Sequence, residues 1–321
     1  MRLRAIAALS AVAVLAVPTA PARAAGNGEW AVTPTPAVKA GPTPRVYFFL
    51  DASAGQTVKE SVRVANLGTK AKSFLIYGAD AYNTARDGGF ALRTSDEPQK
   101  DIGAWTRSAA ARVTVPAGEQ ADIPFTITVP KNATPGDHVG GVVAMETEPG
   151  ASTGTEGATV RIQRAVAARI YLRVAGVVVP GLAVRSVELD LDTPLLPAAA
   201  GGKLKYQIAN VGNVHLVPTA TVKTTGLFGH AVKATGSTPS GDFVPGADGT
   251  FTMRTTGAWP LDIVTASVVV RADGGVYAKR TDRAFVISWT ALAIPVAAAA
   301  AVLWMLSGRR RSKRLRARVT E

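Results

Sequence analysis

The chain of 321 residues contains no cysteine. This absence excludes disulfide bonds, thiol catalysis, iron–sulfur clusters and zinc sites built on cysteine. Helical patterning is also scarce, because no apolar repeat with a helical period stands out before residue 285. An exported chain of this kind is expected to hold its fold together by hydrophobic cores alone.

Histidine is nearly absent, with three residues at positions 138, 215 and 230. None of them accompanies a Gly-x-Ser-x-Gly elbow, and no His-Glu-x-x-His spacing occurs. The acids of "DLDTP" and "GDFVPGADG" are typical of turns and lack the ligand number of a calcium loop. "RDGGF" and "ADGGVY" are typical of hairpin turns, since no Lys-Ser/Thr follows their glycines. We therefore predict a non-enzyme with no catalytic residue, no metal and no cofactor.

The sequence is rich in short alternating segments separated by Gly, Pro, Asn and Asp. "IPFTITV" (123–129) and "KLKYQI" (203–208) place apolar side chains on one face and polar side chains on the other. A period of two predicts half-buried antiparallel strands. The predicted fold class is all-β, with two tandem Ig-like β-sandwich domains followed by a single C-terminal transmembrane helix.

Both ends of the chain carry long apolar runs. Residues 1–24 combine two early arginines, an apolar stretch and an Ala-x-Ala site, which together predict a secretory signal peptide. Residues 285–306 run without a charge, and at about 1.5 Å per residue they match a hydrocarbon core of about 30 Å. The basic tail that follows, 307–321, is expected to stay in the cytoplasm, so that the preceding domains lie outside and face the cell wall.

The formal charge of +13 is concentrated at these two ends. The tail has seven basic residues and one acid, and the signal segment has three arginines, so the exterior part keeps a charge of only +4. The pI of about 10.3 therefore reflects membrane topology, and no nucleic-acid partner is expected.

The exterior part is long enough for two domains. We predict an N-terminal linker at 25–43, a first Ig-like domain at 44–179 and a second at 180–284. The Gly- and Ser-rich segment 148–159 is interpreted as a hairpin loop inside the first domain, because alternating strands flank it directly.

A weak internal repeat supports two copies of one domain type. Each copy has a strand, an Ala-Asn-x-Gly turn and a second strand. Asn66 and Gly68 in the first copy, and Asn210 and Gly212 in the second, are predicted to accept left-handed backbone at a hairpin.

The segment "VRIQRAVAARIYLRVAG" (160–176) is predicted to be one long strand with a basic outer face. Arg161, Arg169, Tyr171 and Arg173 share one parity, while Arg164 breaks the alternation and indicates a bend or an edge. Such a row either grips an anionic wall polymer or a protein partner, or it is a solvated face that discourages edge pairing.

The segment "PGDHVGG" (135–141) has two interpretations. In the first, Asp137 and His138 contact a ligand. In the second, which we favour because His138 has no visible catalytic partner, Asp137 bonds nearby backbone amides and the other residues shape the backbone. These backbone residues are Pro135 and Gly136, which would form a tight turn, and Gly140 and Gly141, which would let an opposing chain or ring approach closely.

The segment 116–144, "PAGEQADIPFTITVPKNATPGDHVGGVVA", resembles the end of the N-terminal domain of the WxL-interacting proteins of Gram-positive bacteria. The resemblance extends over roughly 44–176, and the second half of the chain is similar to the family's second Ig-like domain. It implies that the first domain binds peptidoglycan and that the second binds a protein, such as a WxL-type secreted wall protein or a host protein. The alanine- and arginine-rich composition is typical of actinobacterial chains. The residues on the family pattern are Asn66, Gly68, Tyr77, Asp80, Ala81, Gly89, Trp105, Pro130, Pro135, Gly136, His138, Gly140 and Gly141.

The leading hypothesis is a non-enzymatic, membrane-anchored cell-surface protein that binds peptidoglycan, or another anionic wall polymer, through its first domain and a protein through its second. The alternative is a structural or chaperone-like assembly module or adhesin of the cell envelope, which lends a strand to a secreted partner. No Leu-Pro-x-Thr-Gly signal precedes the apolar run, so retention in the membrane is expected rather than covalent attachment to the wall.

Overall fold

A computed structural model describes residues 28–36, 45–153 and 159–317. The predicted signal peptide, 1–24, lies outside the described residues. Within them the chain forms two β-sandwiches followed by one apolar C-terminal helix. The predicted fold class is therefore confirmed at the level of two Ig-like sandwiches and a terminal helix.

Domain 1 contains the strands β1 to β12 and one helical turn, α1. One sheet has the strand order β1-β3-β8-β6, and the other has the order β2-β12-β9-β4-β5, with β7 paired to β4. The bounds are β1 (Trp30–Pro34), β2 (Phe48–Ala52), β3 (Thr57–Asn66), β4 (Lys72–Asn83), β5 (Phe90–Leu92), α1 (Ile102–Trp105), β6 (Thr106–Ser108), β7 (Arg112–Val115), β8 (Gln120–Thr128), β9 (Gly136–Glu146), β10 (Gly150–Thr153), β11 (Thr159–Ile162) and β12 (Ala165–Val174).

The core of domain 1 lies between these two sheets. The alternation predicted for "IPFTITV" is confirmed, because the side chains of Ile123, Phe125 and Ile127 are buried. The rings of Trp30 and Phe74 meet at 5.4 Å between centroids. Burial of one large apolar side chain is worth about 1.5–3 kcal/mol, so aromatic and branched residues of this kind replace the missing disulfides as the source of stability.

The N-terminal linker predicted at 25–43 is wrong in part. Residues 30–34 form β1, which pairs with β3, and the Trp30 side chain is fully buried. Residues 25–27 and 37–43 of the predicted linker lie outside the described residues. The alternation in "WAVTP" covers only five residues, which is too short a run to distinguish a strand from a linker.

The single long strand predicted at 160–176 is also wrong. β11 ends at Ile162 and pairs with β10, whereas β12 begins at Ala165 and pairs with β9 and β2. Arg164, where the sequence predicts a bend or an edge, lies in the break between these two strands, and its guanidinium group pairs with the carboxylates of Glu29 and Glu146. The pairing of β10 with β11 confirms the hairpin predicted at 148–159.

Domain 2 contains β13 to β19. β13, β14, β17 and β16 form one sheet in that order, and β15, β18 and β19 form the other. The predicted inward face of "KLKYQI" is confirmed by the buried side chains of Leu204, Tyr206 and Ile208. The bounds are β13 (Leu182–Leu191), β14 (Ala200–Asn210), β15 (Thr219–Thr225), β16 (Lys233–Gly236), β17 (Asp248–Ala258), β18 (Leu261–Ala272) and β19 (Val276–Ile287).

The loops of domain 2 lie at two opposite ends. The register pairs Ala200 with Ala258, Thr225 with Thr265, and Leu261 with Ile287. The β13–β14, β15–β16 and β17–β18 connections therefore share one end with the last residue of β19, and we term this the distal end. The β14–β15 and β16–β17 connections lie at the other end, where they contact domain 1.

The two Asn-x-Gly turns repeat each other in structure, but not as hairpins. Each turn carries the chain from one sheet of its sandwich to the other, since β3 and β4 belong to different sheets, as do β14 and β15. No residue of either turn has a positive φ. The prediction of left-handed hairpin turns is therefore wrong. Hydrogen bonds from the asparagine side chains, and not a left-handed backbone, stabilise the turns.

These side chains bond the turns in the same way. The Asn66 amide donates to the carbonyls of Lys70, Val115 and Pro116, and its oxygen accepts from the N–H of Gly68. In domain 2 the Asn210 amide donates to the carbonyls of Val214 at 2.7 Å and Phe243 at 3.0 Å, and its oxygen accepts from the N–H of Gly212 at 3.1 Å. The internal repeat is thus a repeat of buried asparagine caps.

The C-terminal helix α2 spans Trp289–Ala317 and contains Pro295. Its stretch Trp289–Leu306 has a mean hydropathy of 1.9 and is not buried against the rest of the chain, so by length and composition it is apolar enough to cross a membrane. The boundary predicted at 285 is too early, because β19 continues to Ile287. Ser288 alone separates the strand from the helix.

Candidate functional site at the domain junction

The junction between the domains is held by Asn213 of the β14–β15 connection. Its amide nitrogen donates to the carbonyls of Pro135 (2.9 Å) and Val177 (2.8 Å), and its oxygen accepts from the N–H of Val179 at 2.7 Å. Its backbone carbonyl accepts from the N–H of Asp137 at 2.7 Å. Gly136, with φ +121°, is needed here, because a Cβ at this position would collide with Asn213.

The carboxylate of Asp137 is the polar centre of the junction. Arg173 donates to it from Nε at 2.6 Å and from Nη2 at 3.0 Å, and His215 donates from Nδ1 at 2.7 Å and from its backbone N–H at 3.0 Å. Burial opposes ionisation, but the bonds from His215 and Arg173 outweigh it and hold the pKa of Asp137 well below its usual range. Asp137 is therefore a charged link between the two domains.

A second polar link joins β12 to Asp242 of the β16–β17 connection. The Asp242 carboxylate accepts from Nη1 of Arg169 at 2.9 Å and from the hydroxyl of Tyr171 at 2.7 Å. Burial and this bond raise the pKa of Tyr171 to about 12. The Tyr171 ring also contacts that of His215, at 4.8 Å between centroids. Tyr171 thus acts as a neutral hydrogen-bond donor packed between the domains.

Asn83 makes the third link. Its amide nitrogen donates to the Asp242 carbonyl at 2.6 Å, and its oxygen accepts from the N–H of Val244 at 2.9 Å. Val244 packs against Val139 and Tyr171 in a small hydrophobic cluster that is separate from both domain cores. The polar links made by Asn213, Asp137, Asp242 and Asn83, together with this apolar cluster, join the two domains.

His138 lies inside domain 1 and takes no part in these links. Nδ1 lies 2.7 Å from Oδ1 of Asp101, and Nε2 lies 2.8 Å from the Thr134 carbonyl. Both neighbours are acceptors, so the imidazolium, which has two N–H donors, satisfies them together. Burial lowers the pKa of His138, but the bonds to Asp101 and Thr134 outweigh it, so that the pKa is raised above its usual value.

Asp80 positions the acceptor of this histidine. Its carboxylate accepts from the backbone N–H groups of Lys100, Asp101 and Gly103, with the last bond at 2.7 Å. These bonds fix the start of α1 and with it the Asp101 side chain. The Trp105 ring from the same turn contacts the His138 ring at 4.6 Å between centroids.

The two glycines after His138 allow close packing, as predicted. A Cβ at Gly140 would collide with the Ala79 carbonyl and would lie 2.6 Å from Cβ of Ile102. A Cβ at Gly141 would lie 3.0 Å from the Ala168 carbonyl. In contrast, the predicted bonding of Asp137 to nearby amides is wrong, because the amide it accepts from belongs to His215, in the other domain.

The predicted ligand residues divide into three groups. Asp137 of β9 and Arg169, Tyr171 and Arg173 of β12 come together at the junction with domain 2. His138 lies behind them in domain 1. The side chain of Arg161 lies outside the described residues. The role of these residues in ligand binding stays a prediction. The alternative, a solvated outer face of β12, is wrong for Arg169 and Tyr171, because their side chains bond to Asp242 of domain 2.

The residues that the sequence did not single out are the partners in domain 2 and in the β4 hairpin. Asn213, Asp242 and Asn83 lie in turn-rich segments, where their residue types are expected on local grounds alone. No spacing in the sequence links residue 137 to residue 215 or residue 169 to residue 242. Such contacts depend on how the two sandwiches dock.

An open groove lies beside the junction on the outer face of the β4-β9-β12 sheet. It encloses about 600 Å³, within the range of ordinary ligand pockets, about 300–1,000 Å³. Val143 is buried at its floor, and the rim carries Arg93 and Arg169, which are ion-paired with Glu97 and Asp242. The residues that line it include Tyr77, Leu92, Arg93, Val143, Ala167 and Arg169.

The polar side chains of the site are occupied by one another. Arg169 and Arg173 are both paired with aspartates, and within the described part of the chain no group of three or more His, Cys, Asp or Glu residues could hold a metal ion. The arrangement stabilises a domain junction and leaves an apolar groove with cationic rims open beside it.

No protein-family model matches the chain, and no curated protein matches it either. Among solved structures, the chain is similar to the YadV chaperone, with 9% identity and a TM-score of 0.35 over 80% of this chain and 100% of that one. It is similar to the CupB2 chaperone of Pseudomonas aeruginosa, with 12% identity and a TM-score of 0.34 over 75% and 97% of the two chains. It is also similar to a chain in a complex of the Salmonella enterica SafA pilin with the SafB chaperone, with 13% identity and a TM-score of 0.34 over 75% of this chain and 93% of that one.

Proposed function

We propose that the chain is a non-enzymatic, single-pass membrane protein of the cell envelope that binds a segment of a protein partner in the groove of domain 1, as an assembly module or adhesin. The observation that carries this proposal is the groove of about 600 Å³, whose floor is apolar and whose rim carries Arg93 and Arg169. An apolar floor with a few polar groups at its edge suits side chains of a protein segment.

Membrane anchoring by α2 is part of the proposal. The stretch Trp289–Leu306 is long enough, at about 1.5 Å per residue, to cross most of a hydrocarbon core of about 30 Å. Within residues 28–36, 45–153 and 159–317 this stretch is not buried. The basic residues from 309 to 318 favour a cytoplasmic C-terminus, which places both domains on the outer side.

The hydrogen-bonded junction between the domains supports a role in presenting the groove of domain 1 to a partner. Because Asp137, Asn213 and Asp242 tie the domains together, domain 2 holds the groove at a set distance from the membrane. A catalytic role has no support in the described residues, where the junction acids and histidines are paired with one another or with arginine.

The groove is tested by placing a photo-crosslinking amino acid at Tyr77 in the full chain in cells, with Tyr277 on the outer face of domain 2 as the matched control. We expect a protein adduct from position 77 and none from 277. The adduct should disappear when Val143→Asp places a charge on the groove floor. No protein adduct at position 77, or one that survives Val143→Asp, would contradict the proposal.

A second candidate is binding of peptidoglycan by domain 1, with a WxL-type secreted protein as a partner of domain 2. This candidate is supported by the lining of the groove, which includes both Tyr77 and Arg93, since an aromatic face and a cation suit the sugar rings and carboxylates of wall polymers. The full chain should then sediment with purified peptidoglycan more than a control Ig-like protein does. Sedimentation should fall for Arg93→Ala. Retention equal to that of the control would exclude this candidate.

A further inference from the structure

The distal end of domain 2, opposite the junction, collects exposed apolar side chains. They lie on the three loops of that end and on the last residues of the β18–β19 ladder. Soluble proteins seldom leave a cluster of this size open unless it meets a partner or a membrane. Its members are Leu195, Leu196, Leu227, Phe228, Trp259, Leu261, Ile263, Phe285 and Ile287.

Four of these side chains form one continuous patch on the outer face of the sheet. Leu261 is paired with Ile287 and Ile263 with Phe285 in the β18–β19 ladder. All four are more than a third exposed, whereas Val286, which points to the other face, is buried. The alternation that buries one face of β19 therefore continues to its end, but at this end the outward residues are apolar as well.

Phe228 is displayed at the same end by a fixed turn. It is 88% exposed, and it is the one non-glycine residue with positive φ (59°) in the part of the chain that the structure describes. A left-handed conformation costs a side chain of this size roughly 1 kcal/mol or more. The surrounding structure maintains this strained conformation although the ring stays almost fully exposed.

Asp262 holds that turn in place. Its buried carboxylate accepts from the N–H of Leu227 at 2.6 Å, from the N–H of Trp259 at 2.9 Å and from Nε2 of His230 at 2.7 Å. The rings of His230 and Trp259 are stacked at 4.0 Å. The exposed aromatic turn is thus built into the domain.

The helix α2 starts directly on this end. The N–H of Ser288 donates to the Pro260 carbonyl at 2.8 Å, which continues the β18–β19 ladder. The hydroxyls of Ser288 and Thr290 both donate to the Leu195 carbonyl. Phe285 precedes Trp289 by four residues, so their Cα atoms are at most about 14 Å apart.

Basic side chains lie next to the apolar patch on the outer face of the β15-β18-β19 sheet. Arg283 is exposed on the same face of β19, two residues before Phe285, and further exposed cations follow away from the distal end. An apolar band followed by a basic band is the pattern of protein surfaces that lie in the headgroup region of an anionic bilayer. Lys223 of β15, opposite Ser267, is the next of these cations, whereas Lys279 and Arg271 lie near Tyr277 at the other end of the sheet and are no part of this band.

We propose that the distal end of domain 2 is inserted in the headgroup region of the bilayer that α2 crosses, with anionic lipid as its partner. This inference rests on the membrane crossing given under Proposed function. Phe228 and the patch formed by Leu261, Ile263, Phe285 and Ile287 enter the outer leaflet, and Arg283 meets lipid phosphate groups. The two rigidly joined domains consequently stand on the membrane at a fixed height and orientation.

The test uses the absence of cysteine. The full chain is prepared with single cysteines in place of Phe285, Tyr277 or Val302, labelled with an environment-sensitive fluorophore and reconstituted in bilayers of mixed zwitterionic and anionic lipid. Phe285 and Tyr277 lie on the same face of the same strand, at opposite ends, and both are exposed. Lipids with nitroxide groups near the headgroup or deep in the acyl chains then serve as quenchers.

We expect several-fold stronger quenching by headgroup nitroxides at position 285 than at 277, and quenching by the deep nitroxides at 302. A label at Ile263 repeats the measurement with Phe285 intact. If 302 is quenched while 285 and 263 behave like 277, the insertion is overturned and the crossing helix stands. If 302 is not quenched by the deep nitroxides, the crossing itself fails, and the insertion fails with it.

Discussion

The carboxylate of Asp137 in domain 1 accepts two hydrogen bonds from one residue of domain 2, His215, through Nδ1 at 2.7 Å and the backbone N–H at 3.0 Å. Arg173 occupies the other side of the same carboxylate. The side chain of Asp137 is 4% exposed, whereas that of Arg173 is 47% exposed. One buried charge therefore contributes bonds from both domains to the junction.

Replacing Asp137 by Asn should loosen the junction without unfolding either domain. The amide has one acceptor oxygen where the carboxylate has two, so its N–H₂ group must face a donor of Arg173 or His215, and we expect a loss of about 1–3 kcal/mol. The free energy of unfolding of the full chain in detergent measures this loss. Glu188→Gln, at an exposed position of β13, is the control and should change stability by less than about 0.5 kcal/mol.

The same substitution should broaden the range of domain orientations. Spin labels on single cysteines introduced at the exposed positions Lys59 and Lys205 report the distance between domains. The unmodified chain should give one narrow distance distribution, and the Asp137→Asn chain a broad one. Equal widths in both chains would show that the remaining links, made by Asn213, Asp242, Asn83 and the apolar cluster, fix the junction without the Asp137 charge.

His138 should make domain 1 less stable as the pH rises. Burial lowers its pKa, but the bonds to Asp101 and the Thr134 carbonyl outweigh burial and raise it above 6.5, the usual value for histidine. A group with a raised folded-state pKa contributes its full stabilisation below the unfolded pKa, and this contribution is lost as the pH rises through the folded-state pKa. The expected loss of stability therefore lies above pH 6.5.

Two measurements check this pH dependence. Proton NMR of the three histidine rings should show His138 titrating above 6.5, and Asp101→Asn should lower its midpoint. The free energy of unfolding of the unmodified chain should fall through the same pH range, while that of His138→Gln stays flat there. A midpoint at or below 6.5 would show that burial dominates at this position.

Asn66 and Asn210 should be of similar importance to their own domains. Each buried amide bonds two or more backbone carbonyls and the N–H of the glycine two residues later. Removal leaves these groups unsatisfied, so Asn66→Ala and Asn210→Ala should each cost about 1–3 kcal/mol. Hydrogen exchange of the full chain should locate the loss in domain 1 for the first variant and in domain 2 for the second; the reverse, or no change, would refute the repeat as a structural one.

The sequence was sufficient to predict the architecture, and the reason lies in local patterning. Alternation in 123–129 and 203–208 reports which face of a strand is buried, and the Asp-Gly turns at 87–88 and 273–274 do close the hairpins predicted for them. These properties depend on neighbouring residues. The asparagine repeat was visible for the same reason, although its conformation was not, because a side-chain cap and a left-handed turn use the same residue types.

The site could be predicted only in part. The sequence pattern shows that the basic residues of β12 share one face. It does not show that Arg169 bonds to Asp242, because that contact depends on how domain 2 docks, which no periodicity encodes. The predicted transmembrane run begins at Phe285, which the structure places in β19. Phe285 and Ile287 are apolar although they lie on the outward face, so no change of pattern separates the end of the strand from the start of the helix. That ambiguity itself fits a strand end that meets the membrane.

Gly140 should prove indispensable for a reason that connects the core to His138. A Cβ at this position would lie 2.6 Å from Cβ of Ile102 and closer still to the Ala79 carbonyl, so alanine must push α1 away from β9. Overpacking of this kind costs about 1–3 kcal/mol. Because Ile102 follows Asp101 directly, the displacement should also weaken the bond between Asp101 and His138 and lower the pKa of His138.

The matched control for this prediction is Gly89→Ala. Gly89 has no positive φ, and its nearest neighbours are oxygen atoms of the Asp87 and Thr84 side chains, at 3.2 Å. Thermal unfolding and the NMR titration of His138 are measured on both variants of the full chain. We expect Gly140→Ala to lower both the unfolding temperature and the His138 midpoint, and Gly89→Ala to leave the midpoint unchanged. A Gly140→Ala chain with lower stability but an unaltered midpoint would show that Asp80 fixes Asp101 independently of Ile102, since its carboxylate bonds hold the start of α1.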